Sequence, residues 1–231
     1  MTWLGRFRLG ILQAVIFTRL IIVRHGETIW NVESKFQGQM DSALTALGIA
    51  QSQALAERLS RCQLSALYSS DLGRARQTAR IIADRVGQEV RLDARLRERH
   101  LGIFQGLSRC EAEQSLPGEF ARLMSSEVDY VPPEGESFSQ SSARVLGCLG
   151  ELARGHAGQQ IAIVTHGAVL GAVLRQVVGI SPEAPRRFKR FNGSWNVFTF
   201  ENGAWYLETW GDISHLHQTQ SLDNADSSLA S

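Results

Sequence analysis

The sequence predicts an α/β protein: a three-layer α/β/α sandwich whose central sheet is mostly parallel and carries an antiparallel edge. Three observations point there. The apolar, largely β-branched runs Leu20-Ile21-Ile22-Val23 and Ile161-Ala162-Ile163-Val164-Thr165 read as strands buried on both faces, which is the mark of parallel sheets. Strand-like and helix-like patterns alternate along the chain, and right-handed crossovers turn that alternation into layers. Lastly, Asn202-Gly203 separates two aromatic, alternating runs, Trp195 to Phe200 and Trp205 to Trp210, which is a strong signal for a hairpin.

Taken in order, residues 1–17 read as a loosely ordered extension, since Arg6 and Arg8 precede only a short apolar run with no small-residue cleavage site. The first strand ends in Arg24-His25-Gly26, and Glu27 to Asp41 reads as a polar, glycine-bearing loop. Thr45 precedes an apolar stripe of Leu47, Ala50, Ala54, Leu55 and Leu59, so a helix is expected to about Arg61. Leu64 to Ser69 is a second strand, and Ser70 or Asp71 is placed to cap a helix over 72–86. A short strand over 89–92 leads to the charged run Arg95-Leu96-Arg97-Glu98-Arg99-His100.

Residues 102–139 are too long for a plain connection and read as an insertion of short helical pieces covering a crevice. Ser137 caps a helix to about Arg154; the strand ending at Thr165 follows, then His166-Gly167 and an apolar helix from Ala168 to Val178. The domain spans 18–216, and 217–231, rich in Ser, Asp and Asn, reads as a disordered tail.

Composition bounds the partners. The chain has 231 residues, 43% hydrophobic and 20% charged, with a formal net charge of +1, so neither nucleic acid nor a membrane surface is an expected partner. Cys62, Cys110 and Cys148 are an odd number without close spacing; no disulfide framework or zinc knot is expected, and a reducing cytoplasm fits. The hairpin's outer edge leaves monomer and homodimer both open.

Two histidines stand just past the ends of two core strands, the edge where open α/β sheets bind ligands. A single histidine there is more often structural than catalytic; two that can face one another across a crevice with Arg24 and Arg74 are another matter. Guanidiniums grip phosphoryl oxygens in fixed geometry, and a neutral imidazole among them is a competent nucleophile toward phosphorus. Bland readings stand beside these: Glu98 as one member of a salt-bridge cluster with Arg95, Arg97 and Arg99, Arg76 and His100 as surface groups, and His215-x-His217 as tail packing, not a metal pair.

Arg24-His25-Gly26-Glu27-Thr28 with Trp30-Asn31, Ser69 to Ala75 containing Arg74, Leu96-Arg97-Glu98 ahead of Gly102, and Thr165-His166-Gly167 together resemble the histidine phosphatase superfamily, or phosphoglycerate-mutase-like family. The likeness runs from about Thr18 to Leu216 and is strongest to bacterial phosphatases that share a closing Gly-Asp-Ile-Ser-His-Leu. The resemblance implies that His25 is the nucleophile and becomes a phosphohistidine, that Arg24, Arg74 and His166 hold the phosphoryl oxygens, and that Glu98 is the general acid and base. It implies further phosphate contacts from Asn31, Gln37, Gly38 and Gly167, and neither a metal nor a cofactor. The expected activity is hydrolysis of a small phosphate monoester. A phosphoglycerate mutase is the alternative, disfavoured because the insertion is short for enclosing an intermediate, and a non-catalytic phospho-ligand module is the weaker one.

Overall fold

The computed structural model describes residues 16–125 and 127–216. Six strands form one sheet: β1 (Phe17–Arg24), β2 (Ala66–Ser69), β3 (Val90–Leu92), β4 (Gln160–Thr165), β5 (Trp195–Glu201) and β6 (Ala204–Asp212). Their order is β3-β2-β4-β1-β5-β6, parallel from β3 to β1 and antiparallel from β1 through β5 to β6. The alternation of side chains splits β1 between two cores. Leu20 and Ile22 join Ile161, Ile163 and Phe198 under α6 (Phe138–Gly155) and α7 (Gly167–Val178). Ile21 and Val23 join Leu67, Ala162 and Val164 under α2 (Ala46–Leu59) and α3 (Gly73–Val86). The result is the expected three-layer sandwich.

Local chemistry sets most boundaries. Thr45 caps α2 by accepting from the Gly48 N–H, and Ser137 caps α6 in a reciprocal box with Gln140. The β5–β6 turn is made by Asn202 and Gly203 with φ of 50° and 84°, the left-handed pair that a two-residue hairpin requires.

Several expectations need correction. The loop over 27–41 contains a helical turn, α1 (Ile29–Val32), closed by a box between Thr28 and Asn31. β1 starts at Phe17, one residue inside the stretch expected as an extension; the rest of that stretch through residue 15, and the tail over 217–231, lie outside the described residues. Helix α3 is not capped by Ser70 or Asp71: its Gly73 and Arg74 N–H groups donate to the Asp41 carboxylate, at 2.6 and 3.2 Å. The segment over 102–139 does hold short helical pieces, α4 (Arg109–Ser115) and α5 (Pro117–Met124), around a small core of Phe104, Ala112 and Phe120. Among the described residues no helix is long and apolar enough to cross a membrane.

Candidate active site

Because β1 and β4 are parallel neighbours with Arg24 opposite Thr165, the next residue of each strand leaves the sheet at the same edge. His25 and His166 therefore meet, their ring centroids 5.2 Å apart and their planes inclined at 57°. The His25 N–H donates to the Thr165 carbonyl at 3.0 Å, which locks the two strand ends together. Both rings are sequestered, at 2% and 0% exposure.

The tautomer of His25 follows from one contact. Its Nδ1 lies 2.8 Å from the Gly26 carbonyl oxygen, and a carbonyl can only accept, so Nδ1 carries the proton and Nε2 keeps a lone pair. Burial, with the charges of Arg74 and Arg24, holds its pKa well below the ordinary histidine value, so the ring is neutral. Burial, followed by Arg74, His25, Arg24 and Arg144, depresses His166 in the same way. The Nε2 of His166 pairs with the Ser70 hydroxyl at 2.7 Å, while its Nδ1 is buried with no protein partner among the described residues.

Arg74 comes from the first turn of α3 and its side chain is 1% exposed. Its Nη1 donates to the Met40 carbonyl at 2.7 Å and to Asp41 at 3.0 Å, and its Nη2 to the Gly38 carbonyl at 2.7 Å. Asp41 thus caps the helix and orients the guanidinium that the helix presents. Arg24, at the end of β1, donates through Nη1 to the Arg190 carbonyl, and its guanidinium lies against Gly167, where a Cβ would stand 3.4 Å away.

Glu98 does not join a salt-bridge cluster with its neighbours. Arg95 pairs with Asp93 and Glu151, Arg97 with Asp71, and Arg99 donates to the Glu136 and Tyr130 carbonyls. The Glu98 carboxylate instead accepts from the N–H of Arg99 at 2.8 Å and, at the start of α7, from that of Ala168 at 3.0 Å. Arg144 on α6 pins the segment by donating to the carbonyls of Arg95, Arg97 and Glu98, and is itself fixed by Glu136 at 2.8 Å.

Arg24, His25, Asn31, Gln37, Gly38, Arg74 and Glu98 line one cavity of about 310 Å³. His166 and Gly167 stand beside its wall, the first against His25 and the second under the Arg24 guanidinium. The Asn31 Oδ1 accepts from the Thr28 N–H and from the Asn192 side-chain NH₂. Asn192 also donates to the His25 carbonyl. Asp41, Ser70, Arg144 and Asn192 were not expected as site residues. Only Asn192 had a local signal, the Asn-Gly pair that makes a turn beside the strand end; the others act from far along the chain.

The remaining candidates have local duties. His100 accepts the Gly102 N–H through Nδ1, Arg76 is exposed, and His215 donates to the Gly193 carbonyl and contacts Arg58. His217 lies outside the described residues. Among the described residues no three His, Cys, Asp or Glu side chains gather as a metal cluster would.

The fold and the paired imidazoles at its carboxyl edge define a class, α/β proteins of the phosphoglycerate-mutase-like kind. The chain belongs to the histidine phosphatase superfamily, branch 1, whose family model matches residues 20–213. It is 41% identical over 216 residues to a phosphoglycerate mutase-like protein 4 of Arabidopsis thaliana, covering 92% of this chain and 93% of that protein. A metal-independent phosphoserine phosphatase of the same plant is 39% identical, with 86% and 83% covered. Among solved structures, a mycobacterial glucosyl-3-phosphoglycerate phosphatase superposes with a TM-score of 0.74 at 33% identity, covering 84% of this chain and 99% of that one.

Proposed function

We propose that this chain hydrolyses a small phosphate monoester through a phosphohistidine on His25, without a metal. The observation that carries the reading is the contact of His25 and His166, 5.2 Å apart, both neutral and flanked by the Arg24 and Arg74 guanidiniums. The Nε2 lone pair of His25 attacks phosphorus in line; the N–P bond forms as the ester P–O bond breaks, and Glu98, protonated, gives its proton to the departing oxygen. Arg24 and Arg74 meet the charge that gathers on the phosphoryl oxygens. With the Ser70 hydroxyl donating to Nε2 of His166, the proton of that ring sits on Nδ1 and supplies a further donor. Glu98, now a carboxylate, then takes a proton from water, whose oxygen attacks phosphorus and breaks the N–P bond. Inorganic phosphate leaves and His25 is restored.

The relatives named as phosphoserine phosphatase and glucosyl-3-phosphoglycerate phosphatase support hydrolysis. The relative named as phosphoglycerate mutase-like favours a second reading, transfer to a substrate hydroxyl in place of water. A phosphate-release screen over phosphorylated metabolites, run with wild type and His25→Ala, tests the first. Release by wild type with loss in the variant is expected, and activity retained by His25→Ala would overturn the scheme. A coupled assay with 3-phosphoglycerate decides between the two readings: efficient isomerisation to 2-phosphoglycerate would replace hydrolysis by transfer.

A further inference from the structure

The cavity continues well beyond the phosphoryl end, along α7. Ala168, Gly171 and Arg175 line it, and their spacing of three and four puts them on one helical face. Arg190 crosses that face: its Nη1 donates to the Gly167 carbonyl at 3.0 Å, and a Cβ at Gly171 would stand 3.3 Å from the same nitrogen. Arg175, one turn further, is buried. Its two terminal nitrogens donate to the carbonyls of Ser181 and Ala184, at 2.5 and 2.7 Å, and its guanidinium faces the Phe188 ring at 5.6 Å. Arg186 lines the same end. Glu183, whose charge acts on Arg175, accepts from the Ser181 hydroxyl.

Of the described residues lining the cavity, seven are Arg or Lys and three are Glu. Two of the cations are matched by acids just outside the lining, Lys35 by Glu33 and Arg74 by Asp41, whereas Arg186 and Arg190 act on Arg175 as like charges at the far end.

We infer that the substrate's leaving group carries a second oxyanion, held by Arg175, Arg186 and Arg190 at the far end of the cavity. The inference rests on the phosphomonoester reading and narrows its substrate class. Burial, with Arg190 and Arg186, pulls the pKa of Arg175 down; an oxyanion between these groups relieves that repulsion, and the planar guanidiniums suit carboxylate and phosphate alike. Gly171 and Arg175 stand four and eight residues beyond Gly167, so the anion sits about one to two turns along the helix, roughly 6–12 Å from the phosphoryl end. A leaving group with a ring-sized body between its ester oxygen and its acid fits that span.

Non-hydrolysable probes separate this inference from the question of catalysis. Calorimetry on the wild-type protein compares benzylphosphonate with 4-carboxybenzylphosphonate and 1,4-xylylene bisphosphonate. At least one probe with a second anion is expected to bind about tenfold tighter than benzylphosphonate, a difference of about 1.4 kcal/mol; equal binding of all three overturns the inference. Arg186→Gln is expected to shrink the ratio to about threefold or less, and Arg175→Lys, which keeps a charge but loses the fork, to shrink it as well. A ratio unchanged in both variants assigns the anion elsewhere and also overturns the inference. If the probes discriminate while no phosphate ester turns over, the fault lies with the hydrolytic reading and not with this subsite.

Discussion

Glu98 shows how surroundings suit a residue to the role proposed for it. Its arginine neighbours in sequence are engaged elsewhere, and its two oxygens are held by backbone N–H groups of Arg99 and Ala168, so the carboxylate is oriented without being tied up in an ion pair. A group that donates a proton in one step and removes one in the next needs that arrangement. Glu98→Gln keeps the shape and removes the proton exchange, so kcat is expected to fall about 10²–10⁴-fold. The effect depends on the leaving group. With p-nitrophenyl phosphate, whose leaving oxygen needs no proton, His25 is still phosphorylated and dephosphorylation becomes the slow step; a denaturing quench at alkaline pH, where the N–P bond survives, then traps phosphohistidine in the variant. A variant with wild-type kcat on alkyl phosphates and no trapped intermediate would remove Glu98 from the chemistry. Arg144 holds the backbone of Arg95, Arg97 and Glu98 through their carbonyls; on the proposed scheme it acts as a positioning residue, and Arg144→Gln is expected to lower kcat less than Glu98→Gln while leaving KM within about twofold.

At the scale of elements, Asp41 does two jobs through one carboxylate. It caps α3 at Gly73 and Arg74, and it holds the Arg74 guanidinium at 3.0 Å. Loss of such a cap costs about 0.5–2 kcal/mol, so Asp41→Ala is expected to lower the urea midpoint. It is also expected to raise KM for every phosphate ester alike, because the guanidinium loses one of its three anchors. A change in stability with no change in KM would confine Asp41 to capping. This cap also marks the limit of what the sequence discloses. Helices α2, α6 and α7 and the β5–β6 hairpin are legible because their caps, stripes and turn residues are neighbours in the chain. So are His25 and His166, which inherit their positions from recognisable strand ends. The cap of α3 comes from 32 residues upstream, across a loop whose conformation no periodicity specifies. Helix α1 hid for a different reason: it is four residues long, too short to show a period, and its box uses Asn31 where Glu or Gln is the recognisable partner. The arginine-rich end of the cavity is likewise assembled from α7 and the 181–190 segment, and a run of charges at one place in the sequence does not say what it faces.

For the whole molecule, burying two imidazoles at one point has a thermodynamic consequence that pH exposes. In the unfolded chain each histidine titrates near the ordinary value of 6.5, whereas in the folded protein His25 and His166 are both held well below it by burial and by Arg74 and Arg24. Below pH 6.5 the unfolded chain therefore binds protons that the folded chain refuses, and stability falls as pH falls. Above that value neither state binds them and the term vanishes. Each histidine contributes a slope approaching about 1.4 kcal/mol per pH unit, so the pair costs on the order of 2–3 kcal/mol between pH 7.5 and 5.5. Carboxylates shifted by ion pairs, such as Asp71 beside Arg97, enter only at lower pH, which leaves this window to histidine. Urea unfolding at half-unit intervals is expected to give a midpoint that is level above pH 7 and declines below 6.5, with the decline reduced by about half in His166→Asn. A midpoint that stays level to pH 5.5 would mean that the rings accept protons in the folded state. His25 could then not be the neutral nucleophile that the proposed chemistry requires.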